Sequence, residues 1–280
     1  MKKSLFVMSI ICCFLFASCQ KDGGETNTGE DLSYLIKTYY RYDNGGKIIK
    51  QTWTYDGFKV TGYQAYEDGQ LYSESKNYLY NGLRCSYDSY SYRIGNVDDV
   101  TIQHIECEYL DNTYQKIKYK KSYYPNSQNT NIIESYSEYD GKKLLSTKSY
   151  VNGVLSGETV YYYEGLTCNY QTTGYYSGGI EERNFVIVYL DDTYLREKSR
   201  MQTRLRYDSD GNLASSNTFY TVNDYDGKKP IGYQWYRNGK LSAVGRDYQY
   251  DGLTCYYYID SYNNDGEVVS TSLYEVEYLK

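Results

Sequence analysis

The sequence contains little of what metal sites and many catalytic sites are built from. A single histidine, His104, occurs in 280 residues, and no two cysteines have the C-x-x-C spacing typical of zinc ligands. A Ser-His-Asp or Cys-His arrangement would have to be built on that one histidine. The sequence therefore predicts no metal, no cofactor and no histidine-based catalysis.

Positive charge is also scarce. The chain has 30 Lys and Arg against 36 Asp and Glu, a net charge of −6 at pH 7, which suits a nucleic-acid backbone poorly. The basic run KIKYKK, residues 116–121, is predicted to be a strand with a solvated lysine face. No nucleic-acid partner is expected.

The third scarcity is of proline and of long apolar runs. Only 2 Pro together with 24% charged residues exclude a collagen-like or disordered chain. The apolar run at residues 5–16 is too short to span a bilayer. Because Lys2 and Lys3 precede it, the run is typical of a secretory signal peptide.

The end of this run, FASCQ at residues 16–20, resembles the lipobox of bacterial lipoprotein signal peptides. The resemblance implies a signal peptide at 1–18, a lipid on Cys19, and localisation at the outer membrane or cell surface. Ordinary signal cleavage near Ala17 or Ser18 is the alternative. The polar, glycine-containing residues 19–32 are predicted to form a flexible tether, and its opening, CQKD, resembles the export signal of surface lipoproteins in some Gram-negative anaerobes.

Tyrosine is abundant instead: the chain has 42 Tyr against 6 Phe and 2 Trp. Tyrosine favours strands, and its hydroxyl needs a partner or water, so a thin sheet suits it better than a thick dry core. The motif Tyr-x-Tyr-x-Gly-Leu-x-Cys-x-Tyr occurs three times, beginning at Tyr78, Tyr161 and Tyr248. This recurrence indicates three copies of one structural unit.

Other motifs recur at the same interval. The YDG, Y-x-x-G-x-L and G-L-x-C motifs all repeat after 83 to 87 residues. This interval predicts three repeat units in one continuous domain, at 33–115, 116–195 and 196–280. Asx-Gly or similar turns divide each unit at intervals of about 11 to 14 residues, which is typical of strands joined as hairpins. The predicted fold is all-β: an antiparallel meander of about 18 strands, twisted or curled into an extended or barrel-like sheet.

The repeated motif is interpreted as one packed face of a hairpin. A two-residue turn at Asn-Gly in the first copy would place Tyr80 opposite Leu83 and Tyr78 opposite Cys85, with Tyr87 on the same face. The glycine supplies a positive φ at the turn. The same face is predicted in the other copies.

The cysteines fit an apolar packing role. Cys107 occupies the position held by Ile187 and Val276 in the other copies, so the site accepts any compact apolar side chain. A disulfide between Cys85 and Cys107 is left open, since an exported protein meets oxidising conditions.

Two short motifs resemble known repeat families. YDSDGNL at residues 207–213 resembles the YD repeats of Rhs-type shells, and YRNGKLSAVG at 236–245 resembles MORN-variant repeats. The resemblance implies a continuous ribbon of hairpins and no active site.

Two functions are compatible with these observations. The first is a non-catalytic, lipid-anchored surface protein that binds a glycan, a peptide or a partner protein. The second is a structural protein of the cell envelope without a specific ligand. A carboxylate-based glycoside hydrolase is the third alternative, because aspartates are plentiful, although most lie at predicted turns. These are Asp56, Asp98, Asp99, Asp140, Asp191, Asp192 and Asp226.

The two tryptophans are the candidate ligand contacts because they do not recur between copies. Trp53 aligns with Ser137 and Asn223, and Trp235 aligns with Ala65 and Ser149. We expect Trp235 on the face of its hairpin that does not carry Tyr236 and Leu241, and we expect that face to be the more exposed one. Tyr233 and Tyr256 are its predicted neighbours in a site. The alternative is that both rings fill gaps peculiar to their own copies.

Overall fold

The computed structural model describes residues 35–279, apart from 44–45, 95, 126–130, 177–178, 193–195 and 228. The regular elements of the described residues are all β-strands, and these residues contain no helix long and apolar enough to cross a membrane. The strands of the first copy are β1 (Ile36–Tyr42), β2 (Ile48–Asp56), β3 (Lys59–Glu67), β4 (Gln70–Asn81), β5 (Arg84–Arg93) and β6 (Asn96–Tyr109). Those of the second are β7 (Ile117–Tyr123), β8 (Ile133–Asp140), β9 (Lys143–Val151), β10 (Val154–Glu164), β11 (Thr167–Tyr176) and β12 (Gly179–Tyr189). Those of the third are β13 (Glu197–Tyr207), β14 (Leu213–Asp226), β15 (Lys229–Arg237), β16 (Lys240–Asp251), β17 (Thr254–Tyr262) and β18 (Val268–Tyr278).

The sheet closes into an 18-stranded barrel. Each strand pairs antiparallel with its neighbours in sequence, and β1 pairs with both β2 and β18. At the seam Tyr39 lies opposite Val276, and the amide of Leu279 donates to the carbonyl of Leu35 at 2.7 Å. The prediction of an 18-stranded antiparallel meander is confirmed, and closure leaves no exposed edge among the described strands.

The two ends of the barrel differ. The described chain starts and finishes at one end, called here the terminal end, which carries Leu35 and Leu279. At the opposite end, called the far end, hairpins turn through Asp68-Gly69, Asn152-Gly153 and Asn238-Gly239. Both residues of each pair have a positive φ, between 49° and 79°, the backbone of a type I′ turn.

The Gly-Leu hairpins lie at the terminal end, with a register that differs from the predicted one. Tyr80 lies opposite Cys85, and Asn81 lies opposite Arg84, so the turn is centred on Gly82 and Leu83. Gly82 has a φ of 60° as expected, but Leu83 is 36% exposed and outside the strand pairing. The predicted pairing of Tyr80 with Leu83 is therefore wrong, and the second and third copies show the same shift.

The core lies on the inner face of the barrel. The hydrophobic side chains with the lowest exposure alternate along their strands and share this face; they include Tyr39, Ala65, Cys85, Cys107, Cys168, Ile187, Cys255 and Val276. Tyrosines stack beside them: the rings of Tyr248 and Tyr257 are 4.6 Å apart, and those of Tyr257 and Tyr274 are 4.9 Å apart. Alternating apolar side chains and tyrosine rings thus line the inner face of the barrel.

The outer face carries ion pairs around the barrel. Three examples from different strands are Arg84 with Glu108 at 3.2 Å, Lys148 with Glu158 at 3.4 Å and Arg246 with Asp260 at 2.5 Å. The basic run at 116–121 is bulged, so Lys120 lies opposite Cys107 on the inner face. The predicted single lysine face is wrong in that detail.

Candidate functional site

The terminal end is lined by inward-pointing tyrosines that bond to the backbone. Tyr80 and Tyr250 donate to the carbonyls of Val60 and Pro230, at 2.8 and 2.7 Å. Tyrosines of the YDG motifs do the same two strands earlier: Tyr55 donates to Ile36, Tyr139 to Ile117 and Tyr225 to Glu197. Because the bond recurs at equivalent positions, these tyrosines are scaffold, not ligand contacts.

Trp235 lies on the inner face. It lies opposite Thr221 on β14 and the buried Ala243 on β16, and it is half-buried. Its ring stacks with that of Phe219, with centroids 6.0 Å apart and planes 8° apart. The expectation that Trp235 lies on the more exposed face is wrong, because Tyr236 and Leu241 are the residues of this hairpin that point outward.

The other predicted site residues are divided between the two faces. Tyr233 lies on the inner face two residues before Trp235, where burial and then the nearby Tyr274 raise its pKa to about 12. Tyr256 pairs with Gln249 and Glu275 on the outer face and is 37% exposed. Trp53 packs against the seam cluster of Ile36, Tyr39 and Val276. The structure thus places Trp235, Tyr233 and Trp53 on the inner face, with Trp53 at the seam, and Tyr256 on the outer face.

Arginines surround the Trp235 face, and sequence analysis missed them. Arg204 lies 5.5 Å and Arg237 lies 6.0 Å from the centre of the Phe219 ring. Along β12 and β13, Arg183 and Arg206 both donate to the carboxylate of Glu181 at 2.5 Å. Strand pairing puts Arg183 directly opposite Arg204, and Glu181 opposite Arg206, so all four share the inner face.

The charges of this cluster do not balance. Glu181 is 8% exposed; burial raises its pKa, but bonds from Arg206 and Arg183 outweigh that and lower it, so it is ionised. Arg204 stands 3.6 Å from the same carboxylate, and its Nε is buried without a hydrogen-bond partner among the described residues. Burial, and then the charges of Arg183, Arg206 and Arg237, lower the pKa of Arg204. Among the described residues, three guanidinium groups, those of Arg183, Arg204 and Arg206, therefore share the one carboxylate of Glu181.

None of these residues recurs in the other copies. Equivalent positions in or directly after the matching strands carry Asp43 and Tyr124 for Arg204, Glu67 and Val151 for Arg237, Gln103 and Ser272 for Arg183, and Ile49 and Ile133 for Phe219. The comparison between copies that singled out Trp235 would have found the arginines too. The sequence shows that these residues do not recur between copies, but it does not show the strand pairing that brings them together.

The remaining candidates lie on different strands. His104 lies on the outer face, with Nδ1 2.7 Å from Asp88 and Nε2 4.0 Å from Glu106. Asp56, Asp140 and Asp226 end three different strands, each next to a turn. Among the described residues no group of histidine, cysteine and carboxylate side chains is arranged to hold a metal. Cys19 lies outside the described residues.

Comparisons with known proteins give structural neighbours only. No family model and no curated protein matches the chain. A porin-like protein from Bacteroides uniformis is similar in structure, with a TM-score of 0.44 and 10% identity over 86% of this chain and 98% of that one. A porin-like protein from Bacteroides vulgatus has a TM-score of 0.37 and 12% identity over 88% and 98%.

Proposed function

We propose that this protein is a non-catalytic, lipid-anchored surface protein that binds a glycan, peptide or partner protein on the inner face of its third copy. The observation that carries the proposal is the Trp235–Phe219 stack. Its large rings are absent from the equivalent positions of the other copies, so the barrel does not require them there. Half-buried aromatic planes of this kind serve as ligand platforms.

The outer face supports anchoring by lipid in preference to insertion of the barrel. Each Arg or Lys on the lipid-facing surface of a barrel destabilises the folded protein by about 2–4 kcal/mol when it lies near the bilayer midplane. The ion pairs of Arg84, Lys148 and Arg246 lie on that wall. A barrel with this outer surface is better suited to an aqueous environment than to a bilayer. In this proposal a lipid on Cys19 holds it at the membrane through the tether 19–32.

The geometry of the ends also supports this proposal. A tether preceding Leu35 joins the barrel at the terminal end, where the backbone-bonded tyrosines lie. Arg237 precedes the Asn238-Gly239 turn, so the arginine and tryptophan cluster lies toward the far end. In this proposal the ligand face therefore points away from the membrane.

The experiment is a glycan and peptide array probed with the purified mature chain and with Trp235→Ala. Ligand binding that is lost in the variant, at an unchanged melting temperature, supports the site. A large fall in melting temperature identifies the ring as core. Binding that persists in the variant contradicts the proposal. Tyr162→Ala, which removes a ring 67% exposed on the outer face, is the matched control.

A further inference from the structure

The inner face around Trp235 has features beyond an aromatic platform. Arg183, Arg204 and Arg206 surround the single carboxylate of Glu181, and Arg237 lies over the same Phe219 ring as Arg204. The chain as a whole is acidic, at −6. A local excess of guanidinium in an acidic protein is costly to hold without a counter-charge, so its presence needs a reason.

The arginines are accessible to a ligand. The side chains of Arg206, Arg183 and Arg204 are 49%, 35% and 26% exposed, whereas Glu181 is 8% exposed. Glu181 therefore lies beneath the arginines and holds two of them in place through charge-assisted bonds. Arg204, whose Nε has no hydrogen-bond partner among the described residues, is the guanidinium that can take up an incoming anion.

The neighbours of the aromatic pair are polar and small. Thr221 and Ala243 lie on either side of Trp235, Asn217 lies opposite Arg204, and Ser261 lies opposite Ala243. A hydrophobic peptide anchor would need an apolar pocket around it. Hydroxyl and amide groups beside a flat ring suit a hydroxyl-rich ligand with an apolar ring face.

We infer that the ligand is an acidic oligosaccharide, with one sugar ring packed on Trp235 and its carboxylate or sulfate group bound by Arg204 and Arg237. This inference rests on the proposed function and specifies its ligand class. Guanidinium binds carboxylate and sulfate alike through paired N–H groups. The galacturonic acid and chondroitin sulfate probes of the test below distinguish the two groups.

The test measures binding of the mature chain by isothermal titration calorimetry. The probes are a galacturonic acid oligomer, a chondroitin sulfate oligomer and, as the neutral counterpart, a galactose oligomer of equal length. At least one acidic oligomer should bind at least tenfold more tightly than the neutral one, with affinity that falls as salt rises. Arg204→Gln should weaken acidic binding about tenfold, the effect of losing one charged hydrogen bond of ~1.5 kcal/mol.

Two further variants keep the test decisive. Arg237→Gln replaces Arg204→Gln if the latter melts early, and Arg84→Gln, on the outer face, should leave binding unchanged. Equal affinity for acidic and neutral oligomers, lost in Trp235→Ala, overturns this inference while the proposed function stands. Binding of polyglutamate in preference to both acidic oligomers overturns it in the same way. Acidic binding that survives Trp235→Ala contradicts the proposed function as well.

Discussion

The hydroxyl of Tyr80 donates to the carbonyl of Val60 at 2.8 Å, tying the end of β4 to the start of β3. Tyr250 makes the equivalent bond to Pro230 in the third copy. Removing such a hydroxyl leaves a part-buried carbonyl without its partner, which costs about 1 kcal/mol. Tyr80→Phe and Tyr250→Phe should each lower the free energy of unfolding by that amount.

Denaturant titration of both single variants and the double variant checks this prediction. The two bonds share no partner, so the effects should add. Tyr162→Phe, on the exposed outer face, should be neutral. Unchanged stability in both Tyr80→Phe and Tyr250→Phe would mean that water replaces the bond at no cost.

The interior tyrosines predict loss of stability at alkaline pH. The pKa values of Tyr78, Tyr225 and Tyr233 are raised to about 12, mainly because these side chains are buried. An unfolded tyrosine titrates near 10. The folded state therefore retains protons that the unfolded chain releases, so stability is full below about pH 10 and is lost as pH rises through about 12.

Ultraviolet absorbance of phenolate, recorded together with circular dichroism, measures this behaviour. We expect part of the tyrosine to ionise only when the sheet unfolds. If all 42 tyrosines titrate near 10 while the strand signal persists, the interior is wetter than described.

The leucine and the cysteine of the repeated Gly-Leu-x-Cys motif should contribute unequally to stability. Leu166 is 37% exposed at the turn, whereas Cys168 is fully buried opposite Ile187. Leu166→Asp should cost less than about 1 kcal/mol, since a turn position is solvated. Cys168→Asp places a charge in the core and should cost about 3 kcal/mol or more. Thermal unfolding of both variants compares them, and equal effects would contradict the observed register.

Cys85 and Cys107 lie directly opposite each other on β5 and β6, both buried and both free thiols. Their Cα atoms, as a directly facing antiparallel pair, fall within the range that a disulfide spans. The thiol-oxidising reagent diamide should therefore take two hydrogens from this pair and leave Cys168 and Cys255 reduced. Mass spectrometry after alkylation in denaturant detects the product. Alkylation of all four cysteines after diamide treatment would show that the pair does not cross-link.

The residues that share a face were largely predictable, whereas the register was not. The predicted partner of Tyr80 was Leu83 and the observed partner is Cys85, a slip of two residues, which moves Leu83 into the turn and keeps the other side chains of the motif on their face. Glycine tolerates either central position of the turn, so the sequence could not distinguish the two registers.

Inner and outer faces were harder to assign because tyrosine occurs on both. Tyr236 points outward and Tyr233 inward on the same strand, so residue type alone misplaced Trp235. The arginine cluster depends on the pairing of β12 with β13 and of β14 with β15, which brings Arg183, Arg204 and Arg237 together from 55 residues of sequence. Closure depends on β1 meeting β18, a contact between opposite ends of the described chain.

The central claim is that ligand binds the inner face of the third copy, and hydroxyl-radical footprinting tests it most directly. The mature chain is oxidised with and without the galacturonic acid or chondroitin sulfate oligomer that it binds, and side-chain modification is read by mass spectrometry. The account predicts that the oligomer protects Trp235, Phe219 and Tyr233, while Tyr162 and Tyr256 on the outer face stay as reactive as before. Protection of Tyr162 or Tyr256 with none at Trp235 would contradict it.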